Sequence, residues 1–179
     1  MVVWVLGLSG AGKTTLCQAI HDLMKPLMPS LVVLDGDVVR QAFGHDLGHA
    51  EADRIRQFHR LQSMAKVLAD QDIPVIVASV YSNPDLLSWN RKNLSGYFEV
   101  FLNASVQTVK LRDSKGLYRD AAAGKIQDVV GIDIPFHPPI SADFLIDAND
   151  MEPPLDLALS LVKSVPLFSS VLEAASHSG

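Results

Sequence analysis

The sequence predicts an α/β protein of three layers, a five-stranded parallel sheet flanked by helices, and three observations predict it. Short apolar runs recur at Val2–Leu6, Leu31–Leu34, Pro74–Val80, Phe98–Leu102 and Phe144–Ile146, separated by segments with helical spacing. Buried parallel strands joined by crossover helices produce that alternation. The first run leads directly into Gly7-Leu8-Ser9-Gly10-Ala11-Gly12-Lys13-Thr14-Thr15, which fits G-x-x-x-x-G-K-[ST] at every fixed position. Finally, 179 residues suffice for one well-buried domain and are short for two, so a single domain over residues 1–179 is expected.

Taken in order, the elements have local causes. The glycines of the first loop let the backbone curl so that successive N–H groups point inward. A helix over Lys13 to Met24 adds its unpaired N–H groups and dipole to the same anion site, and Lys25-Pro26 ends it. Ala50 to Gln71 carries Ile55, Phe58, Leu61, Met64, Ala65, Leu68 and Ala69 near a 3.6-residue repeat, a long helix with one buried face. Ser105 to Asp113 reads as a short helix, and Lys115 to Val130 as a basic, alanine-rich segment without core periodicity. Pro135, Pro138 and Pro139 mark an irregular connection to the last strand. A C-terminal helix is expected over residues 153–165, and Ser169–Gly179 is small and polar enough to fray.

Composition narrows the partners. The chain is 48% hydrophobic and 20% charged with a net charge of −5, so no broad basic field exists for nucleic acid or a membrane surface, and a small-molecule partner is expected. The single cysteine, Cys17, excludes an intrachain disulfide framework and reads as a packing residue. No stretch reaches 18 uninterrupted apolar residues and no charged leader precedes the first strand, so a reducing cytoplasmic location is expected. His45, His49, His59 and His137 match no metal-ligand spacing.

The chemistry begins at the phosphate cradle, which calls for ATP with Mg²⁺: Lys13 reaches the β- and γ-phosphates and the Thr14 hydroxyl can ligate the metal. The second strand runs into Asp35-Gly36-Asp37-Val38-Val39-Arg40, at the end that faces the nucleotide crevice in such sheets. There Asp37 can take a proton from an acceptor hydroxyl, Asp35 can organise Mg²⁺ through water, and Arg40 can clamp an anionic acceptor. The third run closes without the acidic residue of hydrolytic ATPases, and the guanine-reading N-K-x-D is absent. A small-molecule kinase of the P-loop NTPase class is thus favoured over a motor or switch. Such kinases exclude water, and Arg112 through Lys125, with Gly116, Gly124 and four basic residues, has the traits of a lid that extends over about residues 112–130.

The assembled motifs, G-L-S-G-A-G-K-T-T, L-D-G-D-V-V-R, D-L-G, D-R, R-D-S-K-G-L-Y, A-G-K-I and G-I-D-I-P-F, resemble the adenylylsulfate kinase (APS kinase) family from Val3 to about Asp147. The resemblance implies transfer of the γ-phosphoryl group of MgATP to the 3′-hydroxyl of adenosine 5′-phosphosulfate, in sulfate assimilation. It implies that Gly10, Ala11, Gly12, Lys13, Thr14 and Thr15 hold ATP phosphates and metal, with Arg112 against the ATP adenine. Asp37 would sit at the reacting hydroxyl, Arg40 and Arg54 at the phosphosulfate, Lys115 in the lid and Phe136 on the acceptor's adenine. Members are often dimers, and Leu155 to Leu172 could serve a homodimer interface or cover the sheet.

Departures from the family pattern cluster on the acceptor side. His49 stands where the family has a phenylalanine that forms the other side of an adenine sandwich, and Gln57 replaces an asparagine that contacts the acceptor. As substrate-binding residues, either can still stack on or hydrogen-bond a base. Val80-Tyr81-Ser82-Asn83-Pro84 replaces I-S-P-Y-R, whose serine is linked to a phosphoenzyme form. Two basic lid positions have become Asp120 and Ala122. An intact ATP side beside a remodelled acceptor side suits either a divergent adenylylsulfate kinase or a kinase for another nucleotide or nucleotide conjugate. A noncatalytic ATP-binding module is the third reading, and Asp35, Asp37 and the lid weigh against it.

Overall fold

The computed structural model of the chain describes residues 1–113, 115–150 and 152–177. Five strands, β1 (Val2–Leu6), β2 (Val32–Asp35), β3 (Val75–Ser79), β4 (Tyr97–Asn103) and β5 (Phe144–Asp147), form one parallel sheet in the order β2-β3-β1-β4-β5. The central β1 pairs Val2 with Val75 and Tyr97, and Leu6 with Ser79 and Phe101. Covered on both edges and both faces, all five of its residues are 0% exposed, which explains the unbroken apolar run.

Side chains alternate between the two faces. Trp4 points toward α3 (Glu51–Ala69), where its ring meets Phe58 at 4.8 Å between centroids. Helix α1 (Lys13–Met24) buries Leu16, Cys17, Ile20 and Met24 along one stripe and packs against α7 (Pro154–Ser164). Because every strand is parallel, the C-terminal ends of β1, β2 and β3 open at one end of the sheet. They deliver the glycine loop, Asp35 and Ser79 to one place.

Several expected boundaries shift for physical reasons. The second strand runs one residue further than the apolar run, to Asp35, whose carboxylate caps α2 (Gly36–Ala42) by accepting from the N–H groups of Asp37 and Val38. Asn83-Pro84, part of the segment that departs from the family pattern, opens α4 (Pro84–Asn93): the Asn83 side chain accepts from Leu86 N and the proline sits in the first turn. The expected short helix after β4 is α5 (Val106–Arg112), capped by Ser105. The tail expected to fray from Ser169 is helical in α8 (Pro166–Ser176), anchored by the fully buried Phe168 and meeting α7 at 98°. Among the described residues no single helix is long and apolar enough to cross a membrane.

Candidate active site

The loop between β1 and α1 closes a cleft of about 730 Å³ at the C-terminal end of the sheet. Gly7 cannot be larger, because a Cβ there would lie 2.8 Å from the Leu102 carbonyl oxygen, and Gly12 enters the helix at a left-handed φ of 98°. Gly10, Gly12, Lys13, Thr14 and Thr15 line the cleft, whereas the Ala11 methyl is turned into the core at 0% exposure. The Lys13 amine donates to the carbonyls of Gly7 and Leu8, both at 2.8 Å. Burial pushes its pKa down to about 8 against the opposing pull of Asp37 and Asp35.

The Asp35 carboxylate joins two elements. While one oxygen caps α2, the other accepts from the Thr14 hydroxyl at 2.9 Å. The hydroxyl is exposed and the carboxylate half-buried at the cleft, an all-oxygen donor set of the hard kind that Mg²⁺ takes, so the residues fit that ion. Two residues on, Asp37 accepts from Lys115 Nζ at 2.8 Å. Burial within the cleft walls works to raise the Asp37 pKa, but the Lys115 hydrogen bond, with the charges of Lys115, Lys13 and Arg40, holds it below the usual carboxylate value. With side chains 71% and 66% exposed, this ion pair is worth ~1 kcal/mol or less and is readily displaced by a ligand.

The opposite wall is basic. Arg40, only 8% exposed, donates through Nη1 to the carbonyls of Leu47 and Gly48, holding the loop that presents His49. Arg54 donates through Nη2 to the Asp128 carbonyl, while its buried Nε has no partner among the described residues. Burial and the neighbouring Arg40 lower the Arg54 pKa. Burial, then Arg54 and Arg40, likewise depress that of His49, which keeps the imidazole neutral near pH 7. Gln57 lines the cleft with its amide already engaged: Nε2 donates to the Gly36 carbonyl and Oε1 accepts from Arg60.

Two other expectations divide. Arg112 lines the cleft mouth, where its Nη2 donates to the Asn149 carbonyl at 3.1 Å. Phe136 is not brought into the cleft. Its ring stacks on Phe101 at 5.9 Å and lines a separate cavity of about 420 Å³. Ser82 is fully buried and donates to the His137 carbonyl, so its hydroxyl does not reach the cleft. The segment read as lacking core residues contributes Tyr118, Val129 and Val130 to the core, and its middle forms α6 (Leu117–Ala122). Residues 122–127, among them Gly124, form a continuous exposed stretch, while Ser114 lies outside the described residues.

Other residues shape the site through contacts that the sequence does not announce. Arg60 holds the Asp46 carboxylate with two hydrogen bonds, lies 4.1 Å over the Phe43 ring and orients Gln57, tying the 43–48 loop to α3. Asp133, within G-I-D-I-P-F, accepts from the N–H groups of Asp128 and Val129 and so shapes the turn that receives Arg54. Tyr81 lines the cleft and donates to Glu51 at the start of α3. Asp120 also faces the cleft, paired with Arg119 and Lys125.

Known proteins resemble this chain in sequence and fold. The profile of the adenylylsulphate kinase family matches residues 1–147. An adenylyl-sulfate kinase of Paraburkholderia xenovorans is 38% identical over 151 residues, 84% of each chain. A cytidine diphosphoramidate kinase of Campylobacter jejuni is 35% identical over 161 residues, 88% of this chain and 94% of that one. The APS kinase of Mycobacterium tuberculosis, solved in complex with AMPPNP and APS, superimposes with a TM-score of 0.83 at 30% identity, over 92% of this chain and 96% of its own. The phosphate loop, the capped second strand and a profile match that spans both place this chain in the adenylylsulphate kinase family, ATP-dependent phosphotransferases that act on a hydroxyl group.

Proposed function

We propose that the chain, as one domain, transfers the γ-phosphoryl group of ATP to the 3′-hydroxyl of adenosine 5′-phosphosulfate. The observation that carries an acceptor of this charge is the orphaned Arg54 Nε, buried beside Arg40 on the wall facing Asp37. An unmet donor of this kind costs ~1–3 kcal/mol, which an anionic oxygen of the acceptor's 5′-group offsets. The acceptor oxygen forms a bond to the γ-phosphorus as the bond to the β–γ bridging oxygen breaks, ADP leaves, and the hydroxyl proton passes to the Asp37 carboxylate. Thr14 directly, and Asp35 through water, would hold Mg²⁺, which would supply charge neutralisation to the phosphates. Lys13 and Lys115 bring cations to the same phosphates, and Arg112 packs at the ATP end. A weakly basic Asp37 suits a loose transition state in which the proton moves late.

A second reading, a nucleotide-conjugate acceptor with another base such as that of cytidine diphosphoramidate, draws support from His49 and Phe136. With Phe136 stacked on Phe101 and a histidine after Asp46-Leu47-Gly48, the cleft lacks the pair of aromatic faces expected to sandwich adenine. A panel of both acceptors, read by ADP release, separates the two: a higher kcat/KM for adenosine 5′-phosphosulfate supports the first reading, and the reverse order overturns it.

The titrating groups set a pH profile. As pH rises through about 8, Lys13 in the free enzyme loses its proton and kcat/KM for ATP falls. Bound phosphates favour the charged amine, so the alkaline limb of kcat lies at higher pH than that of kcat/KM. On the acid side activity falls as Asp37 is protonated, below the usual carboxylate range. Lys115→Met removes the cation that favours the carboxylate, so the acid limb is expected to move to higher pH; an unmoved limb contradicts the role of the pair.

A further inference from the structure

The phosphate loop is braced from behind by the segment that carries the lid cations. Val109 of α5, fully buried, lies under Gly10, with its Cβ 3.6 Å from where a Gly10 Cβ would be. In the next helix, Tyr118 of α6 is 3% exposed and its phenol donates to the carbonyl oxygen of Ser9 at 2.9 Å. The Asp113 carboxylate fixes the start of α6 by accepting from the N–H groups of Tyr118 and Arg119, and Gly116 makes the entry with a left-handed φ of 68°.

We propose that Tyr118 is a positioning residue for ATP: by holding the Ser9 carbonyl on the lid side of the phosphate loop, its phenol aims the Gly10 N–H at the phosphates. The argument is one of peptide geometry. In a trans peptide the carbonyl of one residue and the N–H of the next point in opposite directions, and no peptide bond among the described residues is cis. Rotating the Ser9–Gly10 peptide plane therefore swings both groups together. At Gly10, where glycine leaves the backbone little steric restraint, a hydrogen bond to the carbonyl is an economical way to fix that plane. The phosphate loop binds through such N–H groups, so a peptide turned the wrong way presents a carbonyl oxygen to an anion. Burial and the nearby Asp113 push the phenol up to about 12, so it remains a donor throughout the working pH range. The bond also links two parts that must act together, since the lid base that carries Arg112 and Lys115 is the part that orients the loop.

The proposal rests on ATP as the phosphoryl donor and is independent of which acceptor is used, so its first measurement needs no acceptor. Titration calorimetry of Tyr118→Phe with an imido-bridged, non-hydrolysable ATP analogue is expected to show a Kd raised roughly 3- to 10-fold, the range of one lost hydrogen bond. Steady-state kinetics at saturating ATP should give an unchanged acceptor KM. A folded Tyr118→Phe protein with unaltered analogue affinity, or with equal losses for both substrates, overturns the proposal. Should Tyr118→Phe not fold, Asp113→Ala decides, because it loosens the start of α6 without opening the core. The same one-sided loss of ATP affinity is expected from it, and its absence is equally fatal.

Discussion

Replacing Asp37 with asparagine is expected to lower kcat by about 10²- to 10⁴-fold, the range for loss of a positioned general base, with ATP affinity little changed. Asparagine retains the size of the side chain and can still accept from Lys115, so the lid contact and the local fold survive. The cap of α2 is supplied by Asp35, not Asp37, which leaves the helix intact. What is lost is the charge that takes the proton and holds the acceptor hydroxyl in line. Loss of the Asp37 charge lowers the Lys13 pKa further, but bound phosphates favour the charged amine, so ATP affinity is expected to change little. Steady-state kinetics with calorimetric ATP affinity checks this. Full activity in the variant would remove Asp37 from the mechanism.

The second large effect is expected from Lys13→Met. Electrostatic stabilisation by a preorganised group in a water-poor site is worth roughly 10²- to 10³-fold per donor, and a full cation in contact with the transferring group lies at or above the upper end. Methionine keeps most of the stem but removes the charge, so kcat/KM for ATP is expected to fall about 10³-fold or more. Stability should move in a different way. Lys13 is buried with a pKa lowered by burial, so the folded state gives up its proton more readily than the unfolded chain. Removing the charge relieves that desolvation while freeing the Gly7 and Leu8 carbonyls, and the two act in opposite directions. A Tm close to that of the parent with activity nearly abolished is the expected combination. A large drop in Tm with proportionate loss of activity would make Lys13 a structural residue.

The parts legible in the sequence were those with local causes. A phosphate loop is a backbone shape that few residues permit, so its glycines and Lys13 declare it. The central strand, buried on both faces, needs an unbroken apolar run and has one in Val2–Leu6. Helix α1 begins at Gly12, whose left-handed φ of 98° glycine permits, and ends just before Pro26, which cannot continue it. Asp35 and Asp37 were recognisable from their spacing beside the loop, although not that Asp35 would divide its two oxygens between a helix cap and Thr14.

The rest depends on contacts between distant segments. Phe136 sits among prolines that suit a stacking platform, yet which ring it stacks on is decided by Phe101, far away in the chain. Gln57 reads as a free amide, and only the approach of Gly36 and Arg60 reveals that it is engaged. Tyr118 lies in a charged segment whose few apolar residues have no helical repeat, and its burial arises from a single turn packed against the loop. α8 is hidden for a different reason: its serines weaken the pattern, while its anchor is the fully buried Phe168 with Val171 and Leu172 half-buried against the core.

The central claim, phosphoryl transfer from ATP to the 3′-hydroxyl of a nucleotide carrying an anionic 5′-group, is tested most directly by coupled ADP release with adenosine 5′-phosphosulfate, the product's position being read by phosphorus NMR. Turnover that depends on this acceptor and yields a 3′-phosphate is the predicted result. ADP release that is independent of acceptor, or a phosphate at any other position, would contradict it.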